Sequence, residues 1–228
     1  MTEEFPVVFA VYPHVTQLDF TGPHEVLARL PGARCMLASS TGGDLEADGG
    51  LVFTNVRRLA DIEHCAVVCV PGGFGTIEAM EDQELLAQLR RLAKTARYVT
   101  SVCTGALVLG AAGLLKGKRA TSHWAWRDAL SAFGATPDSA RVVRDGNVFT
   151  GGGVTAGIDF ALTVVAEVAG DDFAQSVQLG IEYAPAPPFN SGTPELAPAY
   201  VLASVQQRYE RVRAARDIAV RRAASRIS

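Results

Sequence analysis

The stretch Tyr98-Val99-Thr100-Ser101-Val102-Cys103-Thr104-Gly105 decides the reading of this chain. Tyr98 to Val102 has the composition of a strand buried on both faces. Thr104 to Leu115 is small or apolar nearly all round, as in a helix packed inside the molecule. Cys103 stands at the junction. A sharp strand-to-helix turn needs small neighbours, and Ser101 and Gly105 lie two residues before and two after it, as around an elbow nucleophile. Such a turn lifts the sulfur into a cleft, where the first amides of the helix and its dipole are expected to lower the thiol pKa. Cys103 is therefore a candidate nucleophile, although an unpaired cysteine also serves as a small buried hydrophobe. The spacing alone leaves both roles open.

Working outward, short apolar runs alternate with longer helical stretches. Strands are expected at Val7 to Tyr12, Cys35 to Ala38 and Ala66 to Val70, the last stopped by Pro71-Gly72-Gly73. Helices are expected from Thr21, as a cap ahead of Pro23, to about Leu30, at Glu84 to Ala96, and at Ala156 to Val168. Val142-Val143 and Val148-Phe149 flank Asp145-Gly146, a hairpin signature. The pattern is α/β, a mostly parallel central sheet with helices on both faces. Residues 185–198 hold five of the eleven prolines and read as a structured arm. Residues 199–227 follow as a helix whose arginines suggest a solvated face. The chain thus divides into an α/β domain, residues 1–184, and an arm with a C-terminal helix, residues 185–228, packed on that domain or on a dimer partner.

At 228 residues, and roughly 150 per domain, the chain is one large domain or two small ones. Its 21 Lys and Arg against 24 Asp and Glu give a net charge of −3, which excludes a polybasic nucleic-acid surface. The N-terminus carries two glutamates and no cationic region ahead of an apolar run, which argues against a secretory signal and for the cytoplasm. The longest run free of polar residues, Gly105 to Leu115, falls far short of the roughly 20 residues that cross a bilayer. Four cysteines are too few for a disulfide scaffold, and Cys35, Cys65 and Cys69 read as core filler. With no Cys-x-x-Cys pair and only four histidines, no metal site is expected.

Acid or base partners for Cys103 belong on other loops at the C-terminal ends of the strands. Asp19, set between Leu18 and Phe20, is either such a partner or a helix cap. Gly72 and Gly73 allow close backbone approach, and their amides are expected to hold a developing negative charge. His123, in Thr121-Ser122-His123-Trp124, either completes a Cys-His pair or is a hydrogen-bonded structural histidine.

Pro71-Gly72-Gly73, the elbow and Thr121-Ser122-His123-Trp124 together resemble the ThiJ/PfpI superfamily, relatives of class I glutamine amidotransferase domains, over residues 6 to 183. Within it, Gln17-Leu18-Asp19, Thr21-Gly22-Pro23-His24, the run 98–105, Gly151-Gly152-Gly153 with Ala156-Gly157-Ile158-Asp159, and the stretch 182–190 are similar to the isocyanide hydratases. Much of the superfamily sets a glutamate beside its cysteine, whereas this loop offers Asp19, as the hydratases do. The resemblance implies a flavodoxin-like sandwich and a homodimer, with neither metal nor organic cofactor. It implies addition of water to an isocyanide, giving an N-substituted formamide through a thioimidate on Cys103. Asp19 would supply or relay protons, sharing one with the thiol, and Thr104 would bring its amide and hydroxyl beside the sulfur. The alternative is a regulatory or redox-sensing protein, since related domains serve in transcription regulators and an ionised thiol is readily oxidised. The residues after the arm are too few for the DNA-binding domain of such a regulator.

Overall fold

Val7, Val8, Phe9 and Ala10 are all fully buried in β1 (Phe5–Ala10), which places that strand inside a sheet covered on both faces. The computed structural model describes residues 4–227. On one side β1 pairs in parallel with β2 (Ala33–Ser39), which leads to a peripheral antiparallel ribbon, β3 (Gly43–Glu46) and β4 (Val52–Arg58). On the other side lie β5 (Val67–Val70) and β6 (Tyr98–Val102), in register Val7 with Val67 and Val70 with Ser101. A two-residue ladder, β7 (Arg119–Ala120) with β8 (Thr136–Pro137), stands apart from the main sheet. The hairpin β9 (Val142–Asp145) and β10 (Val148–Gly151) completes the order β3-β4-β2-β1-β5-β6-β10-β9, with β10 parallel to β6.

Side-chain alternation along the strands feeds two cores. Val7 and Phe9 point to α1 (Leu18–Leu27), α5 (Ala156–Ala169) and α6 (Asp171–Gly180). Val8 and Ala10 join α2 (Thr76–Ala79), α3 (Gln83–Ala93), α4 (Gly105–Ala111) and the end of α7 (Ala199–Ala224). This is the α/β sandwich expected from the sequence.

Two expectations change. The first helix begins at Leu18 rather than Thr21, so Pro23 lies inside it, and the Thr21 hydroxyl bonds the Gln17 side chain at 2.8 Å instead of capping. The shift puts Asp19 in the first helical turn. Second, the arginine-rich tail is more than a solvated face. Arg216, Ala219, Val220 and Ala223 are buried, packing α7 onto α2, α4 and the 3-10 segment Arg127–Phe133. The ribbon β3–β4 and helix α6 were not foreseen. β4 is mostly exposed, and Asn55 interrupts it with a φ of 57°.

Candidate active site

Cys103 follows β6 directly and adopts a φ of 56°, left-handed backbone that a non-glycine residue occupies only when its surroundings hold it there. Its amide donates to the carbonyls of Gly152, at 2.7 Å, and Gly151, at 3.1 Å, and its own carbonyl accepts the Ser122 hydroxyl at 2.9 Å. A Cβ at Gly105 would collide with the carbonyls of Val70 and Pro71, so the small residue after the elbow lets α4 start against the end of β5. The elbow is therefore built from β5, β6 and β10 together.

The loop after β5 and the start of α1 bring a carboxyl to this sulfur. Asp19 is fully buried, and its Oδ2 accepts the Gly72 amide at 2.8 Å. Among the described residues Oδ1 has no hydrogen-bond partner, and the Cys103 thiol lies close enough to favour ionisation of the carboxyl. Thr104 Oγ1 accepts the Gly73 amide at 3.0 Å and lies 2.7 Å from Thr76 Oγ1. Thr76 in turn reaches the Gly73 carbonyl at 2.7 Å and Tyr12 Oη at 3.0 Å, and Tyr12 donates to the Pro71 carbonyl at 2.8 Å. The amides of Gly72 and Gly73 were expected to hold a developing charge. In the folded protein they are engaged by Asp19 and Thr104, so they fix the site residues instead of facing an open oxyanion position. Asp19 is likewise no helix cap, because its carboxyl bonds across to another loop.

Burial governs the charges. It pushes the Asp19 carboxyl up to about 7, against the lowering effect of the Gly72 amide and the thiol. Burial and the Asp19 charge also push the Cys103 thiol well above its ordinary value, outweighing the Thr104 amide and hydroxyl. The sequence argument expected the helix dipole to lower it. The Thr104 amide just ahead of α4 does pull in that direction, but desolvation exceeds it. Near neutral pH the sulfur accordingly keeps its proton while the carboxyl is partly ionised, and the ionised carboxylate is the local base.

Cys103 and Thr104 open onto a mainly apolar cavity of about 200 Å³, walled by Gly73, His123, Trp126 and Tyr209. His123 faces this cavity but makes no hydrogen bond to the sulfur. Its Nδ1 accepts the Ala125 amide at 3.3 Å, its Nε2 meets Tyr209 Oη at 3.5 Å, and burial lowers its pKa to about 4. A Cys103–His123 ion pair is therefore absent, and His123 builds the wall. Tyr12, Thr76, Trp126 and Tyr209 escaped the sequence reading. For Thr76 the signal lay in its place three residues after Gly73, beside a loop already singled out; for Tyr209, inside an arginine-rich helix, there was none.

A family model described as DJ-1/PfpI matches residues 6–167. An isonitrile hydratase of Pseudomonas putida is 54% identical over 200 residues, 88% of this chain and 88% of that one. The crystal structure of a ThiJ/PfpI family protein from Pseudomonas syringae superposes with a TM-score of 0.91 at 41% identity, covering 98% of this chain and 91% of that chain. An HTH-type transcriptional regulator of Rhizobium meliloti is 30% identical over 171 residues, 74% of this chain but 53% of the regulator. Because the matched region runs from the first strand through most of α5 and includes the elbow, the chain belongs to the DJ-1/PfpI family.

Proposed function

We propose that this protein is an isocyanide hydratase, converting R–NC and water to R–NH–CHO. The observation that carries the reading is a buried carboxyl with a spare oxygen, coupled to a thiol that opens onto an apolar cavity. The 54% identity to an isonitrile hydratase supports the same chemistry. An isocyanide carbon accepts a nucleophile and a proton on the same atom. Asp19 takes the thiol proton as sulfur attacks and returns it to that carbon, so S–H breaks while C–S and C–H form. The product is the thioimidate R–N=CH–S on Cys103. Water then adds across C=N, its oxygen bonding to carbon while nitrogen gains a proton. The remaining O–H proton passes to Asp19, the C–S bond breaks, and Asp19 reprotonates the departing sulfur. Thr104 directs its amide, and its hydroxyl when Thr76 donates to it, at the sulfur while that atom is charged.

The test follows formamide formation from an aryl isocyanide by absorbance. Cys103→Ala is expected to abolish turnover with little change in thermal melting, because the residue removed is small and lines a cavity. Turnover equal to wild type overturns the reading. The redox-sensing alternative fits less well, since a thiol held protonated is a poor target for peroxide. The four free thiols suit a reducing compartment such as the cytoplasm. Exposed Leu179, Phe189, Leu196 and Tyr200 support a homodimer, which light scattering during size exclusion measures.

A further inference from the structure

The hydration scheme leaves one proton without a carrier, the one that reaches nitrogen when water adds to the thioimidate. Asp19 is occupied with the carbon and sulfur steps. A donor must therefore stand elsewhere on the wall of the same cavity.

The hydrogen bonds of His123 identify it. Nδ1 accepts the Ala125 amide, so the neutral ring carries its proton on Nε2. Nε2 faces Tyr209 Oη at 3.5 Å, and with the proton on Nε2 the tyrosine oxygen is the acceptor in that contact. Among the described residues no acceptor is assigned to the Tyr209 hydroxyl proton. Its ring is held edge-on against His123, at 5.4 Å, and against Trp124, at 5.7 Å between centroids. Burial, and then charge at Cys103 across the cavity they share, raise the Tyr209 pKa, so the hydroxyl keeps its proton for donation.

We propose that Tyr209 is a catalytic residue, donating its hydroxyl proton to the imidate nitrogen while accepting a proton from the attacking water. In that exchange the N–H and C–O bonds form, one water O–H bond breaks, and the tyrosine ends as it began. The inference rests on the hydratase reading and assigns the residue to its second half. An isocyanide nitrogen has no free lone pair, whereas a thioimidate nitrogen does, so the hydroxyl acts only after the C–S bond exists.

Tyr209→Phe keeps the ring and removes the oxygen. Wild type and variant are mixed with an aryl isocyanide, and both formamide release and intact protein mass are followed. In the variant, turnover is expected to fall at least about 100-fold, within the range of general acid catalysis, while a species heavier by one isocyanide accumulates. Adding Cys103→Ala must abolish that species. Wild-type turnover rate in the variant, or lost turnover without the adduct, overturns the assignment. Absence of turnover by the wild type overturns instead the hydratase reading beneath it.

Discussion

A methyl group at Gly72 would stand 2.5 Å from both the amide nitrogen and Oγ1 of Thr104 and 2.9 Å from Asp19 Oδ2. The position is restricted by its neighbours, since its backbone is not left-handed. All three atoms belong to the groups that flank the sulfur, so relief of the clash must move the acid, the hydroxyl or both. Gly72→Ala is therefore expected to lose activity by about 100-fold, in line with a roughly 1 Å misplacement of reacting groups. Its melting temperature should drop only a few degrees. Steady-state kinetics beside a thermal melt check the pair of outcomes, and an active variant would show that the loop yields without disturbing Asp19. At this scale the sequence was informative about Cys103, Asp19 and the glycines because each motif is contiguous. It misjudged the thiol because local dipoles are visible in a sequence, whereas burial arises only when distant elements pack.

Among the helices, α7 links the wall of the cavity to the core. Tyr209 and Arg216 are seven residues apart, two turns, and so lie on one face. Arg216 lies over the Trp126 ring at 5.6 Å, donates to the Ala125 carbonyl at 2.9 Å and pairs with Asp217 at 2.7 Å. The same guanidinium reaches Asp128 at 3.5 Å. Arg216→Met retains most of the buried stem but removes these bonds, at a cost of about 1.5–3 kcal/mol for hydrogen bonds to a charged group. The expected result is a melting temperature lower by several degrees together with a higher KM, as Trp126 loses its cation and α7, which carries Tyr209, loses its tie to the Ala125 carbonyl. A differential scanning melt and a substrate titration test both. None of this was readable beforehand. Strand β6, the elbow and α4 announce themselves as one contiguous stretch of small, β-branched and apolar residues, whereas Tyr209 meets His123 across 86 positions of sequence, inside a segment whose composition advertises only charge.

Over the whole molecule, two buried groups bend the stability curve in opposite directions. Asp19 rises from its ordinary 3.8 to about 7, so between those values the native protein retains a proton that the unfolded chain has released, and stability falls as pH rises. His123 drops from 6.5 to about 4, so across that range the unfolded chain binds more protons and stability rises with pH. The slopes largely offset below pH 6.5. Asp19→Asn removes the first, so melting of the variant relative to wild type should improve from pH 4 to about pH 7 and then level off. A constant offset across that range would exclude the raised carboxyl.

The matched family region stops at residue 167, while the tyrosine that closes the cavity lies on a helix well beyond it. One wall of the cavity, and the hydroxyl proposed to protonate the nitrogen, are thus encoded apart from the sulfur and its acid. Exchange of the last helix alone would therefore alter both which molecules are admitted and how the nitrogen is protonated, leaving Cys103 and Asp19 in place.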